Sequence, residues 1–183
     1  LNKDRIIMGI DPGTNCMGYA LLKVIGKKPV ILVSGILDLK KLGDPYLKLQ
    51  RIFRRTLQVI DEYKPDELAI ESQFFGKNVQ SMLKLGRAQG VCIAAALQRD
   101  IPITEYAPRK IKLAVTGTGT ASKEQMATIM DHYFNLPNFP TNSDETDAIA
   151  IALCHFFQAN PLLGSKKASS WSDFVKQNPG RVK

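Results

Sequence analysis

Two histidines and three cysteines are the whole supply of imidazole and thiol groups in this 183-residue chain. His132 falls midway along a helical stretch and His155 inside an apolar one, and neither is part of a metal-ligand spacing. Cys16, Cys92 and Cys154 are odd in number, each lies in an apolar segment, and none is spaced for zinc. Buried free thiols in a reducing cytoplasm are expected, in place of a zinc module or a disulfide framework. Long apolar runs are missing too: none reaches the ~18 residues needed to span a bilayer. The opening Leu1-Asn2-Lys3-Asp4-Arg5 has no signal-peptide layout, so the expectation is a cytoplasmic protein with no membrane partner. No Ser-His-Asp or Cys-His arrangement offers a catalytic nucleophile. Acidic charge is short, with 17 Asp and Glu against 25 Lys and Arg for a net charge of +8. That balance favours a polyanionic partner, nucleic acid ahead of an anionic membrane, because no basic amphipathic anchor stands out.

What is present reads as one domain large enough to bury a core. Arg5 to Asp11 is a short apolar strand running into a Pro12-Gly13-Thr14-Asn15 turn. Met17–Ile25 and Val30–Leu39 are two further β-branched runs separated by Gly26-Lys27-Lys28-Pro29, which completes an antiparallel meander. From Asp44 to Tyr63 the period becomes helical, with Leu47, Ile52, Leu57 and Ile60 facing inward and Lys48, Arg51 and Arg55 on a solvated basic stripe. Leu68–Glu71 is a fourth strand and Ile101–Tyr106 a fifth, with a long helix between them, Asn78–Arg99, N-capped by Asn78. Gly86, Gly90 and Ala94 recur every fourth residue along that helix. Interior glycine costs about 1 kcal/mol relative to alanine, so this spacing suits a close backbone approach, from this chain or a second subunit. Helices follow at Pro108–Val115, Ser122–Asn135 and from Ser143 to about Asn160. Three sequential strands followed by alternating strands and helices indicate an α/β domain with a mixed central sheet. Beyond Gly164 the segment has five basic residues and one acidic, a net of +4, and is expected to be a disordered basic tail.

Carboxylates stand where apolar residues belong. Asp11 ends the first strand and Glu71 the fourth; an Asp in Asp11's position ordinarily opens a turn. In Ser143-Asp144-Glu145-Thr146-Asp147-Ala148, acids of a helix's first turn complement the macrodipole, which accounts for Asp144 and Glu145 better than for Asp147. Asp144, Asp147 and Ile151 share one stripe of a helix that is apolar from Ala148 to Phe157, so Asp147 is drawn toward the core. Four converging acids repel one another, by about 4 kcal/mol per pair at 4 Å and an effective dielectric of 20. Either some stay protonated or cations sit among them. Carboxylate oxygens without histidine or cysteine select Mg²⁺, with Mn²⁺ as substitute. Two such ions can activate a water and stabilise the leaving oxygen of a phosphodiester.

These residues in this order resemble the RuvC family of bacterial Holliday-junction resolvases. The likeness runs from Ile6 to about Gln158. It is carried by Gly9-Ile10-Asp11-Pro12-Gly13, Ile70-Glu71 with Phe74-Phe75-Gly76-Lys77-Asn78, Leu85-Gly86 through Gly90, Tyr106-Ala107-Pro108-Arg109-Lys110-Ile111-Lys112, and Asp144-x-x-Asp147-Ala148. The resemblance implies an RNase H-like fold, a mixed five-stranded sheet flanked by α-helices over residues 1–163, with residues 164–183 as the tail. It implies that Asp11, Glu71, Asp144 and Asp147 are the catalytic, metal-binding set for the Mg²⁺ expected above, whether one ion or two. It assigns Phe74 to stacking on a base of the opened junction, Lys112 and Lys123 to the scissile phosphate, and Lys77 to DNA contact.

The activity so implied is resolution of four-way junction DNA by paired symmetric nicks in homologous recombination and DNA repair, leaving 5′-phosphate and 3′-hydroxyl ends. A homodimer follows from the two-fold symmetry of such a junction, with the glycine-bearing helix as its interface. RuvA and RuvB, the branch-migration proteins, are the expected partners. The rivals are an RNase H-like nuclease for another nucleic acid, such as an RNA–DNA hybrid, and a catalytically inactive junction-binding protein. Actin-like and sugar-kinase folds share an Asp11-Pro12-Gly13-Thr14-like phosphate loop, but they need two such lobes and this chain contains one.

Overall fold

The computed structural model describes residues 4–73 and 78–159. The expectations for Phe74, Lys77 and the basic tail therefore lie outside the described residues. Five strands, β1 (Arg5–Asp11), β2 (Cys16–Ile25), β3 (Lys28–Asp38), β4 (Glu67–Glu71) and β5 (Ile103–Tyr106), form one sheet in the order β3-β2-β1-β4-β5. The first three are the antiparallel meander, while β1–β4 and β4–β5 pair in parallel. The helices are α1 (Pro45–Tyr63), α2 (Val79–Leu97), α3 (Pro108–Thr116), α4 (Lys123–Phe134) and α5 (Ser143–Ala159). Their ends follow local chemistry. The carboxylate of Asp44 caps α1, Asn78 caps α2, and Ser122 with Gln125 forms a reciprocal capping box at α4.

Successive side chains of a strand point to opposite faces, and this alternation builds two cores. Met8, Ile10, Leu68 and Ile70 face α1 and α2, packing on Ile52, Val59, Ala88 and Cys92. Ile7 and Ala69 face the other way, onto α5 with Ile111 of α3 and Met126 of α4. On this second face the helix backbone lies directly on the sheet. A Cβ at Gly9 would come within 2.3 Å of the Ala148 carbonyl oxygen, and one at Gly18 within 1.8 Å of the Asp144 carbonyl oxygen. Gly18 is the register partner of Asp11. The N-terminal turn of α5 is thus pinned over the end of β1. The helix then runs back along the sheet until His155 reaches Glu67 at the start of β4.

Some expectations are corrected. Leu47 is 50% exposed and Leu57 only half-buried; the inward face of α1 is Ile52, Thr56, Val59 and Ile60. At 3.6 residues per turn, positions five away from Ile52 lie about 140° round the helix, which takes both leucines off the buried stripe. The basic stripe of α1 is not simply solvated either. Arg55 bonds the Tyr19 hydroxyl with its guanidinium 4.8 Å from that ring's centre, and Lys48 Nζ donates to Asn15 Oδ1 at 3.0 Å. All three cysteines are free, but Cys16 is half-buried at the start of β2 while Cys92 and Cys154 are buried. Around Gly86 and Gly90 nothing lies within 4 Å of an added Cβ, so no described part of this chain explains the glycines of α2.

Candidate active site

Parallel pairing puts Ile10 beside Ile70, so Asp11 and Glu71 emerge together at the C-terminal ends of adjacent strands. Alternation turns both toward α5, the face that Gly9 and Ala69 keep low. Asp147, in the first turns of α5, completes a pocket of about 270 Å³ whose walls also include Lys112 of α3 and Lys123 at the head of α4. The pocket therefore brings together five of the six described residues singled out from the sequence. Asp144 is the sixth. It is not in the pocket wall; it stands one turn earlier over Gly18, where it hydrogen-bonds with the Cys16 thiol and its charge still reaches Asp11.

The acids are electrostatically frustrated. Burial, then the charges of Glu71, Asp147 and Asp144, push the Asp11 carboxyl up from 3.8 to about 7, against a smaller opposing pull from Lys123. Glu71 is also raised, by burial first and Asp147 second, with Lys123 and Lys112 opposing. Lys123 Nζ donates to Asp147 Oδ2 at 2.5 Å and to Ser143 Oγ at 3.0 Å. Burial draws its ammonium down, but Asp147, Asp11 and Asp144 outweigh that and leave it raised. Burial likewise drives the Cys16 thiol up to about 12, aided by Asp144, so it is no nucleophile.

The donor set is hard oxygen, which suits Mg²⁺ or Mn²⁺. As they stand, no three His, Cys, Asp or Glu side chains among the described residues are gathered closely enough to hold a metal ion. Asp147 is instead engaged by the Lys123 ammonium. The cation requirement expected from the acids is thus met in part by a lysine.

Sequence reasoning missed a second ionic assembly, at the far end of α5. His155 Nδ1 and the Tyr106 hydroxyl lie 3.0 Å apart, His155 Nε2 contacts Glu67, and Arg5 Nη1 reaches Glu67 Oε1 at 3.2 Å. Its one sequence signal is a histidine inside an otherwise apolar helix, which calls for a polar partner.

The profile of the family "Crossover junction endodeoxyribonuclease RuvC" matches residues 7–155. The chain belongs to the RuvC family. A RuvC from Bacteroides fragilis is 57% identical over 99% of this chain and 97% of its own length. One from Christiangramia forsetii is 53% identical over 100% and 95%. Among solved structures, Thermus thermophilus RuvC in complex with a Holliday junction substrate superposes with a TM-score of 0.80 at 30% identity, covering 88% of this chain and 98% of that one. The fold is accordingly the RNase H-like α/β architecture of RuvC. Among the described residues no helix is long and apolar enough to cross a membrane.

Proposed function

We propose that this chain is a divalent-metal-dependent endonuclease that resolves Holliday junctions, with Asp11, Glu71, Asp144 and Asp147 as its catalytic, metal-binding residues. The observation that carries the proposal is the shared pocket of Asp11, Glu71 and Asp147, in which burial and the neighbouring carboxylates push Asp11 up to about 7. Mg²⁺ bound among these carboxylates would supply a water of lowered pKa and stabilise the leaving oxygen of a phosphodiester. Asp11 and Glu71 end two paired parallel strands, which sets their carboxylates side by side in the pocket. Asp147, engaged by Lys123 in the structure, would join them in holding the metal, and Lys123 with Lys112 would steady the charge of the scissile phosphate, the part we assign to them. Asp144 stands one turn before Asp147 on α5, beyond the pocket wall, and its charge still reaches Asp11, which is the ground for including it in the set.

The partners follow from the same proposal. Four-way junction DNA is the substrate, which is what the Thermus relative holds; Phe74 is assigned to base stacking at the crossover and Lys77 to DNA contact. A homodimer sets two such pockets in two-fold symmetry. Val79, Leu83 and Leu97 are exposed on α2 in line with the open Gly86 and Gly90. That is an apolar stripe at helical spacing that no described residue covers, and it supports α2 as the interface. RuvA and RuvB are the branch-migration partners. The test is a synthetic mobile four-way junction with Mg²⁺. The parent chain nicks opposing strands symmetrically, and Asp11→Asn or Asp147→Asn binds without cutting. Wild-type cutting by either variant, or preference for an RNA–DNA hybrid in competition, refutes the assignment.

A further inference from the structure

Across the Asp11–Asn15 turn from the acidic pocket lies a second concavity of about 500 Å³, and its chemistry is the reverse. Lys48 of α1 and Lys84 and Arg87 of α2 line it, with Thr14, Asn15 and Ser81 as neutral hydrogen-bonding groups and Leu49 and Leu85 as its apolar part. No carboxylate among the described residues lines it. The nearest in sequence, Asp44, is occupied at the head of α1, accepting the backbone N–H groups of Tyr46 and Leu47 at 2.7 and 2.8 Å. Lys48 is held by a neutral partner, Asn15, and none of the three cations is ion-paired with a described acid. Lys84 and Arg87 are three residues apart and exposed, so they share one face of α2 and present their donors together.

We propose that this groove is a DNA-backbone subsite that seats phosphates of a junction arm a few nucleotides from the bond that is cut. The proposal rests on the junction-nuclease reading above and adds where the arm runs. Thr14 is three residues from Asp11, hence within about 11 Å. Successive phosphates of one strand advance about 3.4 Å along the duplex axis, so a strand leaving the acidic pocket meets the groove within about three nucleotides. An arginine fork and two ammonium groups match phosphate oxygens, and the apolar wall suits the sugar faces between them.

The experiment uses the full chain with Lys84→Gln and Arg87→Gln combined, and reads junction binding without divalent metal across a range of salt. Each lost phosphate contact lowers the slope of log K against log salt by about 0.9. The double variant should therefore lose nearly 2 from the slope and roughly 60-fold in affinity at 0.1 M salt. A control pair at the other end of the sheet, Lys27→Gln with Lys28→Gln, should change neither, and Lys84→Arg with Arg87→Lys should keep the slope. Neutral methylphosphonates within three nucleotides of the crossover should weaken the parent chain more than the double variant, which keeps only Lys48 in the groove. An unchanged slope, an equal loss in the control pair, or equal methylphosphonate effects on parent and variant overturns the subsite. Because every readout is binding, a parent chain that fails to cut junctions refutes the nuclease assignment and leaves these outcomes to decide the groove independently.

Discussion

Glu67 and Glu71 close the two ends of β4, on the same face of the sheet and beneath the same helix. At the first end, Glu67 meets Arg5 and His155, and the Tyr106 hydroxyl reaches the other nitrogen of that imidazole. At the second end, Glu71 meets Asp11 and Asp147, and the two lysines nearby only partly offset the repulsion. One strand thus carries a compensated carboxylate and a frustrated one four residues apart. Compensation at the Glu67 end fastens α5 to the sheet. Frustration at the Glu71 end is what the proposed metal would relieve, and the fold tolerates it because α5 is secured elsewhere by buried apolar side chains.

Removing an acid from the frustrated end should have the largest effect, and it should fall on chemistry. Asp11→Asn or Asp147→Asn is expected to slow junction cleavage by roughly 1000-fold or more, since several kcal/mol of charge stabilisation leave with the metal. Junction affinity should be retained, because lysine and arginine contacts supply most of it. Single-turnover cleavage beside gel-shift binding checks both.

The same substitution should stabilise the metal-free protein. Asp11 has a folded value of about 7 against 3.8, so between those values the folded state binds more protons than the unfolded one. Stability from this group therefore falls as pH rises from about 4 to 7, and the whole penalty is present above 7. In EDTA at pH 8, Asp11→Asn should be more stable than the parent by about 1–4 kcal/mol. The difference should vanish below pH 4, as urea unfolding at the two pH values would show.

Next in size is the seat of the helix. An alanine methyl at Gly18 would come 1.8 Å from the Asp144 carbonyl oxygen, so Gly18→Ala should cost about 1–3 kcal/mol through overpacking. It should also slow cleavage by shifting the N-terminal turn of α5, and thermal melts with cleavage rates would register the two losses together. Smallest, and the most direct contrast between the ends of β4, is Glu67→Gln against Glu71→Gln. The first should lower stability by about 1–2 kcal/mol by weakening its bonds to Arg5 and His155. The second should leave the metal-free melting temperature unchanged or raise it.

Much of this was legible in the residues themselves. The meander, the parallel strands ending in Asp11 and Glu71, and the acid-headed apolar helix were readable from period and punctuation, and each stands in the structure within a few residues of its expected bounds. Leu47 is apolar, but its angular position round α1 takes it off the buried stripe, which residue type alone does not reveal. The site was legible as a set of acids but not as a geometry. That Asp147 shares the pocket wall while Asp144 stands over Gly18 depends on how α5 sits on two glycines, a contact between segments far apart in the chain. The Arg5–Glu67–His155–Tyr106 assembly joins four elements and is invisible to any local pattern. The groove was hidden likewise, because Lys48 and Lys84 come together only when α1 packs against α2.

The central claim is that the acids at the end of β1 and β4 repel one another until a divalent cation joins them. Carbon-detected NMR titration of the Asp11 carboxyl tests it most directly, in EDTA and then with Mg²⁺. A midpoint near 7 is expected without metal, with a fall well below it when Mg²⁺ is added. A midpoint near the ordinary carboxylate value in EDTA, unmoved by Mg²⁺, would contradict it.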